Sequence, residues 1–190
     1  MNALATTRPH FEEVPMGNPD TALRPAQPHD QVSAEQFRQL LRHHPAGVVI
    51  VTADVAGRPV GLTATSFTSV SLNPPLVSFY IAATSSTWTR LSRANSFGVH
   101  LLGADQADLA ARFAARGVDR FAPPTRWSHD PAGVPALEGV AARLVCRRYD
   151  TRLIGDHWLV VGRVVHSVVH DASRPPLLYH RGSFGGFTAL

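Results

Sequence analysis

The 190-residue chain contains no lysine; all 18 of its Lys and Arg positions are arginine. Schiff-base catalysis, lysine-anchored pyridoxal phosphate and the phosphate-loop lysine therefore have no residue to carry them. Cysteine is almost absent too. The single thiol, Cys146, cannot form an internal disulfide, which fits a reducing compartment. Its setting, "ARLVCRRYD", has the apolar-to-basic pattern of a strand, where a buried inert thiol is expected. No apolar run approaches the roughly 20 residues that span a bilayer. The first residues lack the basic start, apolar core and cleavage site of a secretory signal, so a cytoplasmic protein with no membrane partner is expected.

Several motifs are missing as well. No G-x-G-x-x-G follows the first strand, which argues against a doubly wound dinucleotide fold, and there is no H-E-x-x-H or paired C-x-x-C. His166 and His170 are four apart, but on a strand that is roughly 13 Å, too far to share an ion, so no metal is expected. "RGSFGG" lacks nucleophile-elbow spacing, and Asp156 and His157, as strand neighbours, would point to opposite faces. The net charge of +4 is spread over scattered arginines interrupted by acids, with no basic stripe for nucleic acid. Most of these arginines read as solvated surface; a minority are free to meet the phosphates of a small ligand.

What is present is a series of short strands. Residues 1–30 are rich in Pro, Asn, Thr and Asp without periodicity and read as a flexible tail; residues 31–190 read as one domain. "SAEQFRQLLRHH" predicts a helix capped by Ser33 and Gln36 that ends before Pro45. "GVVIVTADVAGRPVGLTATSFTSV" predicts a hairpin turning at "AGRP", and "PPLVSFYIA" a further strand. "SSTWTRLSRANS" predicts a short helix capped by Ser85 or Ser86, "FGVHLL" a strand, and "ADQADLAARFAARG" a helix capped by Asp105 and stopped at Gly117. A proline-rich loop then leads to two long strands, "VAARLVCRRYDTRL" and "HWLVVGRVVHSVVH". Strands outnumber helices without alternating with them, so the expected fold is mainly β, an antiparallel barrel with two or three peripheral helices.

The unusual stretch is "TATSFTSVS", residues 63–71, with six hydroxyl side chains among nine residues and apolar strands on either side. Threonine and serine pair well in sheets, which accounts for a solvated edge. Inside an apolar neighbourhood, however, hydroxyls need partners, and a planar ligand with many acceptors provides them. A flavin has that profile. "SSTWTR" adds hydroxyls and backbone N–H groups for an anion. Arg181, in the glycine-rich "YHRGSFGGF", is either a surface charge or a pyrophosphate contact. Trp88 and Trp158 read as packing residues.

These segments, in order with "FGVHLLGADQADLAARFA", "DRF", "GVPALEGVAARLVCR", "GDHWLVVGRV" and "PLLYHRG", resemble the short-chain flavin reductases, the reductase components of two-component flavin monooxygenases. The resemblance runs from about Phe37 to Gly186. It implies a homodimeric FMN-binding split barrel of Greek-key-like order. Such a protein makes reduced FMN or FAD from NADH or NADPH and releases it to an oxygenase. It places Thr63, Ala64, Thr65, Ser66 and Ser69 around the flavin ring and ribityl chain, and Ser85, Ser86 and Thr87 by the phosphate. It sets His157, of "GDH", beside the nicotinamide. Many relatives carry asparagine where Thr65 stands. Two rival readings use the same barrel: a flavin-binding module without turnover, and an oxidase acting on a pyridoxal-type phosphate, which the absence of lysine weakens.

Overall fold

Two β-branched runs meeting at a two-residue turn start the sheet. In a computed structural model describing residues 32–188, β2 (Val49–Val55) and β3 (Arg58–Ala64) pair antiparallel from Val49–Ala64 to Val55–Arg58. Ala56 and Gly57 both have positive φ, 55° and 76°, the turn whose twist matches paired strands, and Asp54 Oδ1 accepts the Gly57 N–H at 2.7 Å. The chain divides into Met1–Phe37 and Arg38–Leu190, and the barrel lies within the second unit. The tail expected over residues 1–30 lies outside the described residues. The first helix, α1 (Ala34–Leu41), has its capping box: Ser33 Oγ accepts the Gln36 N–H at 3.1 Å and Gln36 Oε1 accepts that of Ser33 at 3.0 Å.

Seven strands form the main sheet in the order β3-β2-β6-β9-β10-β5-β4, with β4 (Thr68–Leu72), β5 (Pro75–Ala82), β6 (Ser96–Leu101), β9 (Ala142–Ile154) and β10 (His157–Val169). All its pairings are antiparallel. The two edges, β3 and β4, are consecutive in the chain and joined by only residues 65–67, so that Ala64 and Thr68 lie at most ~14 Å apart. The edges are therefore held close, and the sheet curls into a barrel open along that seam. Short strands complete the fold: β1 (Ala46–Gly47) with β11 (Leu178–His180) and β12 (Ser183–Gly185), and β7 (Trp127–His129) with β8 (Pro135–Leu137) inside the stretch expected to be a proline-rich loop.

Strand β2 is buried on both sides, which explains its unbroken apolar run. Val49, Val51 and Ala53 join Val77, Phe79, Phe97, Val99, Cys146 and Val160 in one cluster; Ile50 joins Leu102, Ala110, Phe113, Val140 and Leu177 in another. Each such side chain contributes roughly 1.5–3 kcal/mol on burial. The second cluster seats helix α3 (Ala107–Ala114) against the sheet, with Phe113 so near β3 that a Cβ on Gly61 would stand 2.8 Å from its ring. Thr63 Oγ1 locks the pair by donating to the Ala110 carbonyl at 2.6 Å.

Three local expectations are corrected. Asp105 does not cap α3. A 3-10 turn, Ala104–Gln106, precedes the helix, Gln106 Oε1 accepts the Gly103 N–H at 2.9 Å, and the Asp105 carboxylate is taken by the Arg174 guanidinium. Neither Ser85 nor Ser86 caps α2 (Trp88–Leu91): the cap position is Thr87, with no side-chain capping bond. The third is the pair Asp156 and His157. Gly155 (φ 60°) and Asp156 form the turn between β9 and β10, outside the strand, so the opposite-face rule does not reach Asp156 and its carboxylate meets His157 Nδ1 at 2.6 Å.

Candidate active site

The packing of α3 on β3 leaves a cavity of about 450 Å³ where the end of β5 turns into the Ala83–Thr87 loop. Leu62 and Thr63 come from β3, Tyr80, Ile81 and Ala82 from β5, and Phe113 and Ala114 from α3. Thr84, Ser85, Ser86 and Thr87 line the loop side, and Arg116 and Arg120 come from the segment after α3. The lining thus combines apolar walls with a hydroxyl-rich end and two cations, and no carboxylate.

Arg120 is the residue that sequence reasoning missed, although it sits in the quoted "DRF". Its Nη1 donates to the Gly61 carbonyl at 2.6 Å and to Thr87 Oγ1 at 2.8 Å, and its Nη2 to the Ala115 carbonyl at 2.7 Å. The guanidinium is a strut from the loop after α3 across to β3 and to Thr87, itself buried. Its Nε is buried without a partner, and no carboxylate neutralises it among the described residues. Burial, and secondly the Arg90 cation, pull its pKa down. A bound anion would relieve both penalties. Arg148 shows the contrast: its guanidinium is spent on the carbonyls of Ser92, Leu91 and Ala94, closing the end of α2.

Of the residues singled out from the sequence, the fold gathers Thr63, Ser85, Ser86 and Thr87 at this cavity. Ala64 is buried in the barrel cluster at the end of β3. Thr65 and Ser69 are exposed, in the link and on β4. Ser66 spans the seam: Tyr80 N–H donates to its Oγ at 2.9 Å. Half of the hydroxyl run, Thr68, Ser69 and Ser71, is therefore on an edge strand, for which sheet pairing suffices, and of the other half only Thr63 lines the cavity.

His157 opens β10 opposite Ala82, a lining residue, so both side chains lie on the same face of the sheet. Its ring is half-exposed, and the Asp156 carboxylate at Nδ1 orients it; that hydrogen bond holds Asp156 below the usual carboxylate range. Arg181 is not a lining residue. It sits at φ 51° in the turn between β11 and β12, where its N–H donates to the Arg42 carbonyl at 3.0 Å and its guanidinium meets His43 Nδ1 at 3.0 Å. Trp88 and Trp158 stack on each other at 5.2 Å and pack on the barrel cluster. The cysteine is buried, and burial pushes its thiol up to about 12.

A larger cavity, about 640 Å³, lies along the outer side of α3, but Asp105, Asp108 and Glu138 line it beside Arg112 and Arg126. That mixed charge suits an anionic ligand poorly. The smaller cavity, with its hydroxyls and unneutralised guanidinium, is the one that fits a phosphorylated planar ligand.

An antiparallel barrel with such a pocket at its seam defines a class, and the comparisons agree on which. Residues 41–188 match the family model described as "Flavin reductase like domain", and the chain belongs to that family. It is 47% identical over 156 residues to the NADH:FMN oxidoreductase of Rhodococcus qingshengii, covering 80% of this chain and 81% of that one. The reductase subunit of a flavin-dependent monooxygenase from Rhodococcus jostii is 36% identical over 157 residues, 83% and 80% of the two chains. Among solved structures, the NADH:FAD oxidoreductase of Streptomyces globisporus, in complex with NAD and FAD fragments, superposes with a TM-score of 0.76 at 34% identity. That match covers 81% of this chain and 92% of that one.

Proposed function

We propose that this protein is an NADH- or NADPH-dependent flavin oxidoreductase that reduces FMN or FAD and passes it to an oxygenase component. The observation that carries the reading is the cavity at the seam, where Thr63, Ser85, Ser86 and Thr87 share the lining with a half-buried arginine, Arg120, whose Nε is buried without a partner and which has no counter-ion among the described residues. Flavin, when bound, supplies the two-electron acceptor for a hydride from reduced nicotinamide. The chain's own work is to hold and orient. Arg116 and Arg120 attract the phosphate, Thr87 is fixed by Arg120, and the walls from Leu62, Ile81 and Phe113 exclude water from the ring. Thr65 and Ser69, exposed on the open side of the seam, remain available to the ribityl chain and ring, with Ala64 and Ser66 shaping the backbone between them.

His157, beside Ala82 and oriented by Asp156, is the residue assigned to the nicotinamide, as a hydrogen-bonding partner rather than a base, since hydride transfer itself needs none. Arg181 is assigned no part in the cavity; a pyrophosphate contact there would require a ligand reaching the β11–β12 turn. The protein acts as a homodimer in this reading. Leu72, Tyr149, Leu153 and Ile154 are apolar and exposed on β4 and β9, a surplus that a symmetric interface would cover. A cytoplasmic location, where pyridine nucleotides are reduced, belongs to the same reading; no helix among the described residues is long and apolar enough to cross a membrane.

The deciding experiment is NADH oxidation by purified protein with free FMN or FAD in excess. Many turnovers per protein are expected. Flavin binding without turnover would instead make this a flavin-binding module, and a monomer mass by light scattering at micromolar concentration would overturn the dimer.

A further inference from the structure

We infer that Thr125 and Trp127 are positioning residues, which clamp the main chain at Arg120 and Phe121 and so set where the Arg120 guanidinium stands and how tightly a phosphate-bearing flavin is held. The inference rests on the flavin reading of the seam cavity and deepens it. Neither residue lines that cavity. Arg120 belongs to residues 115–126, which form no helix or strand, so no ladder of backbone hydrogen bonds holds it. Side chains do so instead. Thr125 is buried; its Oγ1 donates to the Arg120 carbonyl at 2.8 Å and its N–H to the Ala122 carbonyl at 3.1 Å. Both main-chain groups of Phe121 are taken as well: the N–H donates to Asp119 Oδ1 at 3.0 Å, and the carbonyl accepts the Trp127 Nε1–H at 3.1 Å.

A buried threonine that closes a loop on a carbonyl is commonly structural and nothing more. Here the carbonyl belongs to the residue whose side chain joins three separate parts of the chain: Gly61 on β3, Thr87 ahead of α2 and Ala115 after α3. Hydrogen bonds from the tip of so long a side chain keep their geometry only while the backbone beneath it is fixed. Arg120 also lines a neighbouring cavity of about 480 Å³, space into which an unclamped guanidinium can swing. The Phe121 ring couples the clamp to the seam as well. It stands T-shaped against Phe113 and against Trp127, each at 5.2 Å, and Phe113 lines the seam cavity. Being outside that lining themselves, Thr125 and Trp127 act on the ligand through Arg120.

FMN carries a phosphate; riboflavin has the same ring and ribityl chain without it, so the pair reads the Arg120 end of the cavity apart from the ring. Both are titrated by flavin fluorescence into wild-type protein, Thr125→Val, Thr125→Ser, Trp127→Phe, Arg120→Met and the Thr125→Val, Arg120→Met double variant, with the Tm of each measured alongside. Wild-type protein is expected to bind FMN more tightly than riboflavin. Thr125→Val keeps the shape and removes the donor, and should raise the FMN Kd about 5- to 10-fold while leaving the riboflavin Kd unchanged. Thr125→Ser restores FMN binding. Trp127→Phe keeps a ring without the N–H and shifts FMN alone in the same direction, which decides the matter even if Thr125→Val does not fold. In the Arg120→Met background Thr125→Val adds no further loss. Equal weakening of FMN and riboflavin, a lowered Tm with the FMN Kd unchanged, or a full additional loss in the double variant overturns the clamp and makes Thr125 a loop closure only. Wild-type protein that binds FMN no more tightly than riboflavin overturns instead the assignment of the phosphate to Arg116 and Arg120, and failure of both to bind overturns the flavin reading itself.

Discussion

Two histidines, 57 positions apart, show how differently the barrel interior and the cavity rim use the same side chain. His100, on β6, is fully buried: its Nδ1–H donates to the Ile50 carbonyl at 3.1 Å and its Nε2 accepts the Leu137 N–H at 3.1 Å, tying β2, β6 and β8 together. Burial pulls its pKa down to about 4, so it is neutral and has no free nitrogen. His157 is half-exposed, with one nitrogen held by Asp156 and the other uncommitted among the described residues. The interior histidine has exhausted its chemistry in holding strands together; the rim histidine keeps half of its own in reserve. Substitutions in the interior should therefore register in stability, and those at the rim in binding and turnover.

The largest effect is expected at His100. Replacing it by alanine leaves a cavity and strips partners from Ile50 and Leu137, costing roughly 3–5 kcal/mol in urea unfolding. The wild-type protein carries a pH signature of the same residue. Because the folded pKa of about 4 lies below the ordinary 6.5, the unfolded chain takes up the proton first. Stability is whole above about pH 6.5 and declines as the pH falls towards 4, by roughly 3 kcal/mol. His100→Ala should lack this part of the slope; an unchanged slope would break the interior half of the comparison.

At the rim, Arg120→Met keeps the length of the side chain but removes the cation, and flavin Kd should rise about 10- to 100-fold. Some stability is lost as well, since Gly61 and Ala115 lose a donor; a loss of stability with unchanged flavin affinity would move Arg120 to the structural side. His157→Ala sharpens the contrast most narrowly. It should lower kcat/KM for NADH by an amount equivalent to ~1–3 kcal/mol with little change in flavin affinity. Normal NADH turnover with a lowered Tm would instead make His157 a turn residue.

The barrel was legible in the sequence because its signals are local. Alternating β-branched runs, the Ala56–Gly57 turn and the Ser33–Gln36 box each follow from residues a few positions apart. The errors came where a distant residue outbid a near one. Asp105 has every local reason to cap α3, yet Arg174, 69 positions on, claims its carboxylate. The hydroxyl run looked buried because apolar strands flank it, but the sheet's hydrogen bonding stops at the seam and leaves β4 an edge strand, a change of neighbour that no periodicity records. Arg120 is the clearest case. In "DRF" it is one arginine among 18, and only folding reveals that it alone bridges Gly61, Thr87 and Ala115 beneath two cavities.

Cys146 carries a consequence for the chemistry around it. Reduced flavin released into aerated solution reacts with oxygen, so a protein with the proposed activity works in peroxide of its own making. Peroxide attacks the thiolate, and a buried thiol held at about 12 is almost never in that form at neutral pH. Gly162 packs tightly against it on one side, with no room even for a methyl group: a Cβ there would collide with the Phe97 ring and stand 2.9 Å from Cys146 Cβ. Enclosed in this way, the chain's only sulfhydryl is withdrawn from the oxidants that its turnover would generate.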